Sequence, residues 1–266
     1  MSSDYRNLKM EKDGAVWRIT IHRPGDRNSI DSVLMAELSA ALKEAEDSAA
    51  GAVVFRGSGE EYFIGGADGI EMMRCTPAQA EAFSRRIQGL FERMEASPLI
   101  LLAAIDGLCF GGGFEFALAC DLRVAAESAR IGLPEVKVGI IPGGGGTQRL
   151  PRLVGLGQAT EMILSGRLYS GKEAARMGLV NRTVPDGELR DEAERMLEPI
   201  LRHPRHALGH AKAALKAGQG LASGLAAESA EFGKCFDHDY FVTLMKKQLK
   251  SGLLVTTAQL PDGFLD

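Results

Sequence analysis

The strongest constraint on how this chain can fold lies between Leu99 and Glu115. Leu99 to Ile105 (LILLAAI) is an unbroken apolar run behind Pro98. It is far too short to cross a bilayer and lacks the alternation of a half-buried strand, so it predicts a strand buried on both faces. Gly111, Gly112 and Gly113 follow, then Phe114, Glu115 and a small-residue stretch to Cys120 that suits a helix. Strand, glycine turn and helix in that order present backbone N–H groups at a helix start, where the dipole favours negative charge. Glu115 stands one helical turn beyond Gly112, which places a carboxylate beside an oxyanion donor. A second carboxylate, Glu135, follows in IGLPEVKVGIIPGGGGTQRL (131–150). Either glutamate alone also fits a plain role as a first-turn acid complementing a helix dipole. Both lie in glycine-rich, otherwise apolar sequence, where burial raises a carboxyl pKa into the useful range. That combination points to acid/base chemistry next to an activated carbonyl, and hence to an enzyme.

The rest of the chain alternates. Ala15 to Ile21 and Ala52 to Phe55 read as strands, and Asp31 as the N-cap of a helix carrying Leu34, Leu38, Ala41, Leu42 and Ala45 at helical spacing. A glycine-punctuated loop spans Gly57 to Gly69. Thr76-Pro77 opens a helix through Ala96, and Leu122 to Ala125 is a further strand. The alternation predicts an α/β fold of ββα- or βαβ-type units around a largely parallel sheet. From Gly155 onward the pattern turns helical, most clearly at Arg205 to Lys216 and Leu221 to Phe236. A subdomain boundary near residue 200 divides a core over 1–200 from a helical region over 201–266.

Length and composition exclude several classes. The chain has 266 residues, 45% hydrophobic and 25% charged, with a net charge of −4, which suits a single large domain, or a domain with an extension, without a general affinity for nucleic acid or anionic membranes. Cys75, Cys109, Cys120 and Cys235 show no CxxC spacing and read as buried free thiols of a reducing compartment. The opening residues lack the apolar segment of a signal peptide, so the expected location is cytoplasmic. No GxGxxG or GxSxG is present, and GGGGT (143–147) lacks the lysine of a phosphate-binding loop. His203, His206 and His210 fit a solvated basic helix face better than a metal site, so no metal is expected.

Several blocks carry a resemblance. AVWRITIHRP (15–24), RNSID (27–31), GGAD (65–68), the long block 103–155 and AARMGLVNRTVP (174–185) resemble the enoyl-CoA hydratase/isomerase, or crotonase, superfamily. The resemblance implies a spiral of ββα units with a helical C-terminal part used in trimerisation, and assembly as a homotrimer or dimer of trimers. It implies that a thioester oxygen is held between the backbone N–H groups of Ala67 and Gly112, with Glu115 and Glu135 as the hydratase pair. The implied activity is addition of water to a 2-enoyl-CoA, giving a 3-hydroxyacyl-CoA. Coenzyme A enters as part of the substrate, with no separate cofactor. Its contacts are implied around Asp26, Arg27, Asn28, Gly65, Gly66 and Asp68. Arg27 is a suitable phosphate partner but equally a surface arginine in a turn, and Lys246 or Lys247 could act from a neighbouring subunit.

The chain departs from the pattern twice. Gly69-Ile70-Glu71 after GGAD implies a loosened acyl-pocket wall, and the segment 232–266 differs from that of short-chain hydratases. A cyclic or aromatic-derived enoyl-CoA, or double-bond isomerisation, therefore stays open beside hydration of a straight chain. A non-catalytic RNA-binding or scaffold homologue is disfavoured by the acidic balance and the absence of a basic, aromatic-interleaved patch. The related serine-peptidase reading fails because glycine and glutamate stand at the key turn.

Overall fold

The computed structural model describes residues 5–217, 229, 232, 233, 236 and 239–253. A six-stranded sheet has the order β1 (Leu8–Asp13), β2 (Val16–Ile21), β3 (Ala52–Gly57), β5 (Ile100–Ile105), β7 (Leu122–Ala126), β10 (Arg182–Val184). A four-stranded sheet has the order β4 (Tyr62–Ile64), β6 (Leu108–Phe110), β8 (Arg130–Gly132), β9 (Tyr169–Ser170). Successive strand pairs divide between the sheets. β3, β5 and β7 enter the first, and the strand after each, β4, β6 and β8, enters the second. Within each set the pairing is parallel, Ala52 against Ile100 and Leu102 against Leu122 in one sheet, Leu108 against Arg130 in the other. Helices carry the chain back, so the core is a spiral of ββα turns: α1 (Ser32–Glu46) precedes β3, α3 (Pro77–Ala96) precedes β5, and α4 (Gly112–Ala119) precedes β7.

Parallel strands covered on both faces must be apolar throughout, and β5 is buried at every position. Val53, Phe55, Leu101 and Ala103 face the main core with α1, α3 and α4. Val54, Leu102 and Val124 face a smaller cluster under Met196 and Leu197 of α8 (Leu189–Leu201). Phe116 of α4 is the hub of the main core, with ring centroids 5.0 Å from Phe55 and 5.9 Å from Phe91, both edge-on. The far end of α4 is held by buried Arg123, which donates to the carbonyls of Ala117 and Cys120. At the sheet edge Trp17 is paired across strands with Lys12, whose ammonium lies 5.0 Å from its ring centre.

The caps agree with the sequence. Asp31 accepts from Leu34 N at 2.7 Å, and Thr76 forms a capping box with Gln79. Two expectations change. The apolar run is not followed directly by the glycine turn, because the chain first crosses into the second sheet as β6. The region after Gly155 is not simply helical, since β9 and β10 complete the sheets among the short helices α5 (Gly146–Val154), α6 (Leu156–Ser165) and α7 (Gly171–Arg176). Strands this brief show no periodicity, and long-range pairing alone defines them. α9 (Arg205–Ala217) docks through Lys212, which bonds Asp121 at 2.8 Å and the carbonyl of Leu99 at 2.9 Å. α10 (Tyr240–Lys250) lies beyond it in sequence, whereas most of the helix read at 221–236 falls outside the described residues. Cys109 and Cys120 are buried free thiols and Cys75 is half-buried; Cys235 also lies outside the described residues. No helix of the described residues is long and apolar enough to cross a membrane.

A polar cavity of about 710 Å³ opens beside the C-terminal ends of β3 and β5, with Arg56, Asp106 and Arg190 in its lining. Burial pushes the Asp106 carboxyl up to about 6, against its own backbone N–H and Arg56. A carboxyl with a raised folded-state pKa leaves stability intact below about pH 4 and lowers it progressively up to about pH 6, after which the deficit is constant. Asp106→Asn removes the charge that burial disfavours. The expected outcome is a higher Tm than wild type at pH 8, with the difference vanishing near pH 4, read by thermal denaturation across that range.

Candidate active site

The site begins where the two sheets' connections touch. Gly111, with φ +56°, ends β6 in a conformation that favours glycine, and its N–H donates to Gly132 O at 3.1 Å, tying the turn to β8. Helix α4 starts at Gly112, so the Gly112 N–H is one of the groups a helix start leaves without an intrahelical partner. Opposite it runs Gly65–Asp68, bridged in parallel to Ile30. That bridge uses the carbonyl of Gly66 and the N–H of Asp68, at 2.9 and 2.8 Å, which turns the N–H of Ala67 to the other side. A Cβ on Gly112 would lie 2.9 Å from Ala67 N. The two amides are therefore immediate neighbours, at the surface of one cavity of about 300 Å³.

Both glutamates line that cavity. Glu115 points back from α4 and is only 2% exposed. Its Oε1 accepts from Gly144 N at 2.8 Å and Gly146 N at 2.7 Å. These two backbone donors hold the carboxyl in place. Glu135 comes from the other direction, at the head of a 3₁₀ turn over Glu135–Val138, and its Oε1 lies 3.4 Å from where a Cβ on Gly111 would be. The two carboxyls thus flank the glycine turn. Beyond them the wall is apolar, formed by Met72, Phe83, Ile87, Ile140, Phe232 and Phe241, while Arg27 and Lys137 also line the cavity.

The residues singled out for coenzyme A separate into groups. Arg27, Gly65 and Gly66 line the cavity. Arg27 and Asn28 both adopt left-handed backbone, φ 56° and 55°, which is uncommon for such side chains. The Asn28 side chain holds the turn, donating to Ser58 O and Tyr62 O and accepting from Arg23 N. Arg27 also donates to the carbonyl of Leu253. The carboxylates of Asp26 and Asp68 are directed at Arg23, at 3.1 and 3.4 Å, so the side chains of Asp26, Asn28 and Asp68 shape the loop rather than face the cavity. Burial raises the Asp68 carboxyl, opposed by bonds from Glu71 N and Ile70 N and by Arg23. Lys246 and Lys247 lie on α10 between Met245 and Gln248, and those two neighbours, rather than the lysines, line the cavity.

The expectation of a loosened wall after Asp68 is not met. Asp68 caps a short helix, α2 (Gly69–Met72), and Glu71 accepts from Ser32 N at 2.9 Å, which pins the segment to α1. Gly69 packs against α10, where a Cβ would meet Met245 Sδ at 3.3 Å. Sequence reasoning missed Gly144 and Gly146, considered only as a glycine run without a phosphate-binding lysine, and missed Ser84 of α3 in the lining. Among the described residues no three His, Cys, Asp or Glu side chains are placed to hold a metal ion.

The chain as a whole has counterparts among known proteins. The family model described as enoyl-CoA hydratase/isomerase matches residues 11–248. A short-chain-enoyl-CoA hydratase of Clostridium acetobutylicum is 38% identical, with 88% of this chain and 90% of the relative covered. A crotonyl-CoA hydratase of Syntrophomonas wolfei is 36% identical, covering 87% and 90%. A crystal structure of an enoyl-CoA hydratase/isomerase from Xanthobacter autotrophicus Py2 superposes with a TM-score of 0.86 at 29% identity, covering 94% of this chain and 95% of that one. The chain belongs to the enoyl-CoA hydratase/isomerase family. It is an enzyme of the hydratase type, a lyase.

The proximity of the two amides gives a direct test. Gly112→Ala sets a methyl group 2.9 Å from Ala67 N, closer than real Cβ contacts come, so the Ala67 amide must shift. Turnover is expected to fall by about 10²–10³-fold, the size of effect seen when an oxyanion donor is lost. Circular dichroism should show the fold retained; a folded variant with wild-type turnover would show that the pair is not used.

Proposed function

We propose that this protein hydrates a 2-enoyl-CoA to the 3-hydroxyacyl-CoA, with Ala67 and Gly112 N–H holding the thioester oxygen and Glu115 and Glu135 handling water and proton. The observation that carries the reading is the presence of both carboxyls on the cavity wall beside the two neighbouring amides. Attack of water at Cβ moves electron density through Cα onto the thioester oxygen. Two preorganised N–H donors stabilise that enolate-like charge in a site shielded from bulk water. Glu115 and Glu135 orient the water and take its proton, and Glu135 returns a proton to Cα. Isomerisation of the double bond passes through the same enolate but needs no water. The second carboxyl favours hydration.

Coenzyme A is carried as part of the substrate. Its pantetheine and phosphates meet Arg27, Gly65 and Gly66, a reading supported by their position on the cavity wall and by a guanidinium's fit to phosphate oxygens. The acyl group extends toward Phe83, Ile87 and Phe232, a hydrocarbon surface that suits an uncharged chain. The similarity to a short-chain-enoyl-CoA hydratase and a crotonyl-CoA hydratase supports crotonyl-CoA as the first substrate to offer. Assembly as a homotrimer or dimer of trimers, with a lysine from a neighbour such as Lys246 or Lys247 on the nucleotide, belongs to the same proposal.

Mixing the protein with crotonyl-CoA should bleach the absorbance of the conjugated thioester and yield 3-hydroxybutyryl-CoA by mass. Glu115→Gln and Glu135→Gln should each lower kcat by about 10²–10⁴-fold while thioester binding persists, as expected for lost acid–base groups. Full activity in either variant, or a shifted double bond with no incorporated water, would overturn the hydratase reading.

A further inference from the structure

The segment that grips Glu115 is itself gripped from behind. The Gly143 carbonyl and the Gly144 N–H belong to one trans peptide, so they point in opposite directions. The N–H donates to Glu115 Oε1 at 2.8 Å. The carbonyl accepts from Ser84 Oγ at 2.6 Å and from Gln88 Nε2 at 2.9 Å, both on α3. Gln88 Nε2 also donates to Ser84 Oγ at 3.2 Å. Ser229 Oγ donates to Gln88 Oε1 at 2.7 Å, which fixes the end of the amide that faces Gly143. Ser84, Gln88 and Ser229 are 1%, 5% and 0% exposed, so this polar set sits where unsatisfied groups would be costly. Ser84 reaches the cavity lining; Gln88 does not, and any influence it has on the reaction passes through the peptide.

We propose that Gln88 is a positioning residue for Glu115, acting through the Gly143–Gly144 peptide, with Ser84 and Ser229 holding its amide in register. The inference rests on the reading that Glu115 works as a carboxylate in hydration. Two donors on the carbonyl polarise the peptide and strengthen its N–H as a donor, because linked hydrogen bonds reinforce one another. The stronger N–H both fixes the carboxyl's orientation toward the cavity and favours its ionised form. The network thereby connects Ser229, 141 residues further along the chain than Gln88, to the acid–base group. A network that served only to fasten α3 to the loop would alter stability and leave the ionisation behaviour of turnover untouched.

The test is steady-state crotonyl-CoA hydration by wild type, Gln88→Met and Ser229→Ala across pH. Gln88→Met keeps the length of the side chain and deletes the donor. Its kcat is expected to fall about tenfold or more through misplacement of the carboxyl. KM should stay within about twofold, because substrate contacts are intact. The acidic limb of the kcat profile should move to higher pH, since the carboxylate form has lost support. Ser229→Ala should move the same limb in the same direction by less, and it carries the test if Gln88→Met does not fold. A folded variant with unchanged kcat and acidic limb overturns the proposal, as does a lower kcat with an unmoved limb. Absence of hydration by wild type across enoyl-CoA chain lengths would remove the underlying reading first, and this inference with it.

Discussion

The whole arrangement depends on how closely two backbones approach at Gly112 and Gly113. A Cβ on Gly112 would press on Ala67 N and Gly66 C, and one on Gly113 would overlap the Ile64 carbonyl. With hydrogen in those places, β4 and β6 pair through Tyr62 with Leu108 and Ile64 with Cys109, and α4 starts directly against the end of β4. A side chain at Gly113 would drive β4 and the helix apart, and one at Gly112 would displace the Ala67 amide. The amide pair, the direction of Glu115 and the seating of Phe116 among Phe55, Phe63 and Phe91 all follow from the same contact.

A second principle governs the carboxyls. A buried glutamate can be stabilised by a guanidinium, which would also weaken it as a base. Buried Arg149 pairs with Glu95 at 2.7 Å and donates to the Gly144 carbonyl at 2.8 Å. Glu115 is served by the N–H groups of Gly144 and Gly146, neither of which could carry a side chain, since a Cβ would lie 2.7 and 2.9 Å from the Glu115 carboxyl oxygens. The cation orders the loop and the loop orders the carboxyl. Glu135, delivered on a separate 3₁₀ turn, reaches the cavity independently of that loop.

Much of this was legible in the sequence where one cause dominates. Leu99 to Ile105 reads as a buried strand because both faces demand apolar residues. Thr76 and Asp31 read as caps because a side-chain oxygen meets backbone N–H groups within one turn. Gly112 and Glu115 stand one turn apart on any helix that starts at the glycines. What stayed hidden depends on distant pairing. β6, β8 and β9 span two or three residues each and exist only through their partners across the sheet. Asp26 and Asp68 turn their carboxylates to Arg23 and Asn28 holds the turn with its side chain, a convergence no local spacing encodes. Gly144 and Gly146 belong to an ordinary-looking glycine run until Glu115, 29 and 31 residues away, is brought against them.

Trp17 is the only tryptophan of the chain, 7% exposed at the edge of the large sheet, with Lys12 above its ring and no share in the cavity wall. Its emission is therefore a spectroscopic label for the β1–β2 edge alone. Excited at its own wavelength, the protein reports the loss of its sheet on denaturation and stays optically silent toward what fills the pocket.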